Sequence, residues 1–238
     1  MNFSTFLIFL FFGFAPSIVW LLYFLRKDVH PESKEMILKI FFYGILAAVA
    51  AGFLEIYLLK QISRLTFSEN IIAFLCNFFG IALVEESLKY LVVKEKVLSH
   101  TEFDEPTDAM LYMIISALGF AALENILIFL NQKTFNLGET LILSSFRFIS
   151  ATFLHALWSG LVGYFLAIAL YEIKNRTTLV LSGLFLSTAL HGIYNFSIIM
   201  IKGDFGFLIP LIMLITLALI VHAAFDKIAK MENVCKIK

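Results

Sequence analysis

Stretches of about twenty apolar residues recur along this chain, and no other sequence feature limits its fold so severely. They run over roughly 4–25, 36–59, 70–93, 108–130, 140–171, 178–201 and 205–226. About 20 such residues cross the roughly 30 Å hydrocarbon core of a bilayer as one helix. In lipid, only helices and closed barrels satisfy their own backbone. The pattern therefore predicts an all-α, polytopic membrane helical bundle of about seven transmembrane helices. Composition agrees: 61% of the 238 residues are hydrophobic and 15% charged, against about 25% charged in soluble domains. The fifth stretch is too long for one perpendicular helix. It is expected to tilt, to run past the membrane, or to break near Trp158-Ser159-Gly160 and Gly163, with six or eight spans as alternatives.

Neither a soluble domain, nor a repeat, nor a low-complexity linker interrupts these stretches, so residues 1–238 read as a single integral membrane domain. The segment from Met1 to Leu25 lacks a basic start and a small-residue cleavage site, so it reads as a retained first span. Lys+Arg and Asp+Glu both number 18. There is no basic bias of the kind nucleic-acid binding requires, and the partner expected instead is the lipid bilayer. Cys76 and Cys235 match no disulfide framework or zinc-ligand spacing and read as free thiols.

Orientation follows from the cations of the short connections. One side carries Arg26, Lys27, Lys34, Lys39, Lys94, Lys96, Lys174, Arg176, Lys227, Lys230, Lys236 and Lys238, and the other Lys60, Arg64, Lys133 and Lys202. Twelve against four predicts a cell-membrane protein with its N-terminus outside and its C-terminus cytoplasmic. The run Asp104-Glu105-Pro106-Thr107-Asp108 reads as the start of the fourth helix, where acids and a proline suit the first turn.

Ionisable residues within spans are costly, at about 2.5–3.5 kcal/mol each at the bilayer centre, and they mark function by default. The third span holds Glu85, Glu86 and Lys89. Lys89 stands i+4 and i+3 from the two acids and can neutralise one of them, leaving the other to act as general base. The fourth span holds Glu124 and Asn125 after Phe120, the fifth His155 and Ser159, and the sixth His191 and Asn195. His155 shares a helix face with Ser159, and His191 with Asn195. A structural alternative is an interhelical bond, for Glu124 with Arg147. Glu55 is expected in a structural ion pair, and Arg147 to snorkel or pair. His30, His100 and His222 carry no pattern, and Asp226 reads as solvated. Buried acids and imidazoles also suit a proton-coupled transporter, and a non-catalytic membrane scaffold is a third class.

At these residues the chain resembles the PrsW family of intramembrane proteases. Glu85-Glu86-x-x-Lys89, Phe120-x-x-x-Glu124-Asn125, His155-Ala156 and His191-x-x-x-Asn195 match its motifs in order, although the last often ends in Asp where Asn195 stands. Ala15-Pro16 through Trp20 to Arg26-Lys27-Asp28, and Phe103-Asp104-Glu105-Pro106-x-Asp108, are also similar. The wider clan includes CAAX prenyl proteases and bacteriocin-processing enzymes. The resemblance implies hydrolysis of a peptide bond in a single-span membrane protein, by site-1-type cleavage, with an anti-sigma factor as the substrate by analogy. For that reaction Glu85 or Glu86 is expected as the base acting on water, with Glu85 favoured because Lys89 at i+4 could orient it. His191 and Asn195 would stabilise the oxyanion, His155 would position water or protonate the leaving amine, and Glu124 would shape the proton network, with Lys89 and Asn125 in support. Chemistry without a metal is favoured. The alternative is zinc held by Glu86, Glu124, His155 and His191, since two His and one Glu are a common catalytic zinc set.

Overall fold

The computed structural model describes residues 3–27, 30–132, 135–201 and 205–231, and for 205–207 the backbone only. Asp28, Lys133, Lys202, Cys235, Lys236 and Lys238 lie outside the described residues. Seven helices are long and apolar enough to cross a membrane, and no strand occurs among the described residues. They are α1 (Phe3–Leu25), α2 (Lys34–Ile62), α3 (Glu69–Lys96), α4 (Pro106–Leu130), α5 (Leu137–Tyr171), α6 (Arg176–Met200, after a 3-10 turn Ile173–Asn175) and α7 (Phe205–Ile228). The protein is a multi-pass membrane protein. Phe3, Phe53, Ile142 and Phe185 are each more than 70% exposed, which in this setting means exposed to lipid.

The axis of the bundle is α4, which is buried almost without interruption from Pro106 to Ala122. It packs against α1, α2 and α5. Helices in lipid gain little from apolar burial and associate instead where small residues let backbones approach. At the crossing of α2 and α4, a Cβ added to Gly44 would lie 2.1 Å from the Ser116 carbonyl oxygen, and one on Gly119 2.0 Å from that of Phe41. Only glycine fits at either position.

The start of α4 follows the sequence reading. Pro106 takes the first turn, and the Asp108 carboxylate accepts the backbone N–H groups of Asp104 (3.0 Å) and Glu105 (2.7 Å). Ser33 caps α2 by accepting from the Met36 N–H at 3.1 Å and donates to Glu102 at 2.8 Å. This joins the loop before α2 to the loop before α4.

The long fifth stretch does not break at Trp158–Gly163. It forms one helix of 35 residues, roughly 52 Å at 1.5 Å per residue. It is widened into a π-helical segment at Phe148–Thr152. A second π segment, Cys76–Ala82, lies in α3. Each segment precedes a functional stretch by less than a turn: Glu85-Glu86 follows the first and His155 the second. An extra residue in a helical ladder rotates everything after it by about 100°, so these segments set where the acids and the imidazole point. Side chains satisfy the loosened carbonyls. Asn77 Nδ2 donates to Ala73 O (2.8 Å), Ser150 Oγ to Phe146 O (2.7 Å), and Trp20 Nε1 from α1 to Phe148 O (2.8 Å). The Trp20 ring also stacks on Phe153, with centroids 3.7 Å apart.

Candidate active site

Four helices deliver their polar residues to one dry centre. Glu86 and Lys89 are fully buried, Glu85 is 5% exposed, His155 3% and His191 2%. Burial of this kind requires partners, and each group has them. The Lys89 ammonium donates to Glu85 Oε2 (3.0 Å), Glu86 Oε1 (2.8 Å) and His155 Nδ1 (2.8 Å). The Phe120 ring lies 4.4 Å from Nζ and closes that side.

Glu86 is saturated. Besides Lys89, its Oε1 bonds His191 Nδ1 at 3.0 Å, and its Oε2 accepts from Ser187 (3.0 Å) and Ser159 (3.3 Å). Glu85 differs: among the described residues its one hydrogen bond is to Lys89, and it lies 3.9 Å from His155 Nδ1. One carboxylate is therefore held on every side, while its neighbour keeps lone pairs free.

The two nitrogens of His155 are divided. Nδ1 accepts from the Lys89 ammonium, so Nε2 carries the hydrogen, which it donates to Glu124 Oε2 at 2.9 Å. Glu124 Oε1 in turn meets Arg147 Nη2 at 3.2 Å, and Arg147 Nε donates to Asn125 Oδ1 at 2.5 Å. Asn125 also donates to Thr152 Oγ1 (3.0 Å), at the end of the second π segment. The His191 ring stacks on Trp158 with centroids 4.5 Å apart and stands edge-on to His155 at 5.2 Å.

The structure thus brings together Glu85, Glu86, Lys89, Glu124, Asn125, His155 and His191. Asn195 is half-buried and forms no hydrogen bond with any of them among the described residues. Ser187 escapes the sequence reading, and Glu55 departs from it. Ser187 bonds Glu86 and stands i−4 from His191, a spacing that would have revealed it. Glu55 forms no ion pair among the described residues, contrary to expectation. Arg147 pairs, as one of its two expected behaviours.

Glu85, Glu86, His155 and His191 each offer one ligand atom within 4.8 Å of the others. Two imidazoles and two carboxylates suit zinc. The Glu124 carboxylate on the far nitrogen of His155 is the outer-shell partner that metal-ligating histidines use. The donor set therefore fits a metal. In this group Glu85 stands where the sequence reading had Glu124.

Two openings flank the centre. A half-polar pocket of about 490 Å³ at the end of α4 is lined by Glu124, Leu127, Ile128, Leu130 and Asn131. An apolar groove of about 520 Å³ lies between α3 and α6, with Phe78, Leu83, Ser87, Phe185 and Thr188 among its walls. Thr188 Oγ1 is buried in that wall and has no hydrogen-bond partner among the described residues.

Residues 32–223 match the family described as PrsW family intramembrane metalloprotease. Protease PrsW of Geobacillus kaustophilus (strain HTA426) is 33% identical over 205 residues, covering 85% of this chain and 84% of that protein. Protease PrsW of Bacillus subtilis (strain 168) is 29% identical over 202 residues, covering 83% and 86%. Protease PrsW of Oceanobacillus iheyensis is 32% identical over 191 residues, covering 77% and 80%. No solved structure matches the chain.

Proposed function

The chain belongs to the PrsW family of intramembrane metalloproteases, and from that premise we propose that it hydrolyses a peptide bond of a single-span membrane protein at the Glu85–Glu86–His155–His191 centre. The observation that carries this reading is the convergence of those four residues, from α3, α5 and α6, within 4.8 Å. Residues 1–238 act as one domain, with the N-terminus outside and the C-terminus cytoplasmic.

Glu85 is the general base, because Glu86 has its lone pairs filled and Glu85 does not. Glu85 takes a proton from water as the water oxygen bonds the scissile carbonyl carbon. The same carboxyl then returns that proton to the leaving amine as the C–N bond breaks. Glu86 can only accept, so His191 Nδ1 carries the hydrogen of that bond; in its imidazolium form His191 also donates from Nε2 to the oxyanion. Glu124 holds His155 in one tautomer. When bound, a divalent metal supplies carbonyl polarisation and a more acidic water; Glu86, His155, His191 and the Glu85 Oε2 that now meets Lys89 would hold it, which leaves Glu85 Oε1 to act as the base.

Water reaches the centre through the pocket at Glu124, and the substrate through the groove between α3 and α6. The groove lies beside the centre: its wall residues Ser87 and Thr188 follow Glu86 and Ser187 on the same two helices. Lipid chains cannot satisfy the Thr188 hydroxyl, whereas an unwound peptide can.

The test is reporter cleavage by purified protein in liposomes, comparing wild type with Glu85→Gln, Glu86→Gln and His191→Ala. The expected result is product from wild type and a loss of at least 100-fold in Glu85→Gln. Undiminished cleavage by Glu85→Gln would move the base elsewhere. Undiminished cleavage by all three variants would remove the centre from the reaction.

A further inference from the structure

The position of Lys89 goes beyond a supporting role. Its Nζ lies 2.8–3.0 Å from Glu85 Oε2, Glu86 Oε1 and His155 Nδ1, which belong to three of the four residues that could hold a metal. The fourth, His191, bonds the same Glu86 oxygen at 3.0 Å. A cation is therefore already seated among the donors. Zinc–nitrogen and zinc–oxygen bonds are about 2.0–2.2 Å, so a metal bound to these donors would lie almost in contact with Nζ. Two positive centres at that separation in a dry site repel strongly. Lys89 is fully buried, and the Phe120 ring 4.4 Å from Nζ walls one side.

We infer that the Lys89 ammonium is the resident cation of the four-donor cage, and that a divalent metal binds there only by displacing it. The inference rests on the proposed centre, but its mark is metal affinity and not turnover. The cage is ready for the exchange. Glu124 already fixes His155 with Nδ1 turned inward, so Lys89 and a metal use the same tautomer and the same lone pair. Charge balance points the same way. Two carboxylates facing one ammonium leave a net negative site, and replacing the ammonium by a divalent ion neutralises it. Lys89 thus sets the affinity threshold, excluding metals too weakly bound to expel an ion-paired ammonium.

The experiment measures zinc affinity of the full chain in detergent by competition with a chromogenic chelator, for wild type, Lys89→Met and Lys89→Gln. Both variants are expected to bind one zinc at least tenfold more tightly than wild type. Adding Glu85→Gln to Lys89→Met should abolish the gain. Saturating zinc should also raise the melting temperature of the variants more than that of wild type. Affinity in the variants equal to or weaker than wild type overturns the inference, as does zinc binding by none of the proteins. Neither result bears on whether Glu85, Glu86 and His191 are needed for hydrolysis, which reporter cleavage judges separately. Should both variants fail to fold, the wild-type protein decides. Stoichiometric zinc is expected to raise labelling of Lys89 by an amine-reactive reagent, read by peptide mass mapping. Labelling unchanged by bound zinc counts against displacement.

Discussion

His155 joins the two halves of the centre, with Lys89 and the acids of α3 on Nδ1 and the Glu124–Arg147 pair on Nε2. Glu124→Gln keeps the shape of the side chain but replaces a carboxylate acceptor by an amide, which holds the imidazole less firmly. Loss of such an outer-shell partner typically costs about 10–100-fold in activity or metal affinity. The expected outcome is a fall of that size in reporter cleavage, with the melting temperature little changed because Asn125 still binds Arg147. Full activity in Glu124→Gln would reduce Glu124 to a structural anchor. Thr188→Val removes a buried hydroxyl at constant volume. Since that hydroxyl has no partner among the described residues, stability should hold or rise slightly. If the groove admits an unwound peptide, cleavage should drop several-fold, and unchanged cleavage would argue for another route. At this scale much was legible. Ionisable groups inside apolar stretches are few and costly, so Glu85, Glu86, Lys89, Glu124, His155 and His191 identify themselves. A serine carries no such cost, so only its i−4 spacing from His191 marks Ser187, and a sequence does not show whether Glu55 on α2 meets a cation.

The helices themselves were legible from apolar run lengths, and their interruptions were not. Hydropathy reads length, and periodicity assumes a constant 3.6 residues per turn, so a π segment that keeps the chain helical leaves no trace. The fifth stretch signalled an irregularity through its length, but its glycines drew attention to the wrong place. Gly160 and Gly163 serve packing instead: a Cβ on Gly163 would lie 2.5 Å from Met110 Cα. The device at Phe148–Thr152 depends on Trp20, which arrives from 128 positions away to bond the Phe148 carbonyl. Trp20→Phe keeps an aromatic ring against Phe153 and removes that donor. A stability loss of about 1 kcal/mol is expected for the missing bond, seen as a lower melting temperature. Activity should fall further than stability, because the segment aims His155. A proportionate loss of both would show that the π segment holds its geometry without Trp20.

Across the whole molecule, the depth and sidedness of the centre are linked. In the proposed orientation the loop after α4 is outside, and the half-polar pocket at Glu124 lies toward that end, with Asn131 on its rim. From Glu124 to Leu130 is six residues, about 9 Å along the helix. In a hydrocarbon core of about 30 Å, water entering there meets the carboxylates in the outer half of the membrane. Peptide bonds in the inner half would have to be drawn past Phe120 and the buried, mostly apolar length of α4, which offers an unwound backbone few partners. The chain should therefore cut a single-span reporter of fixed orientation within the outer half of its span, as read by mass spectrometry of both fragments. Orientation can be checked independently. In a background with Cys76→Ser and Cys235→Ser, Leu65→Cys should react with an impermeant thiol reagent applied to intact cells, and His100→Cys only after permeabilisation. If the labelling is reversed, the site must face the cytoplasm, and the cut should move to the inner half with it. A cut on the side opposite to the labelled loop after α2 would break the link between the Glu124 pocket and the water that the reaction consumes.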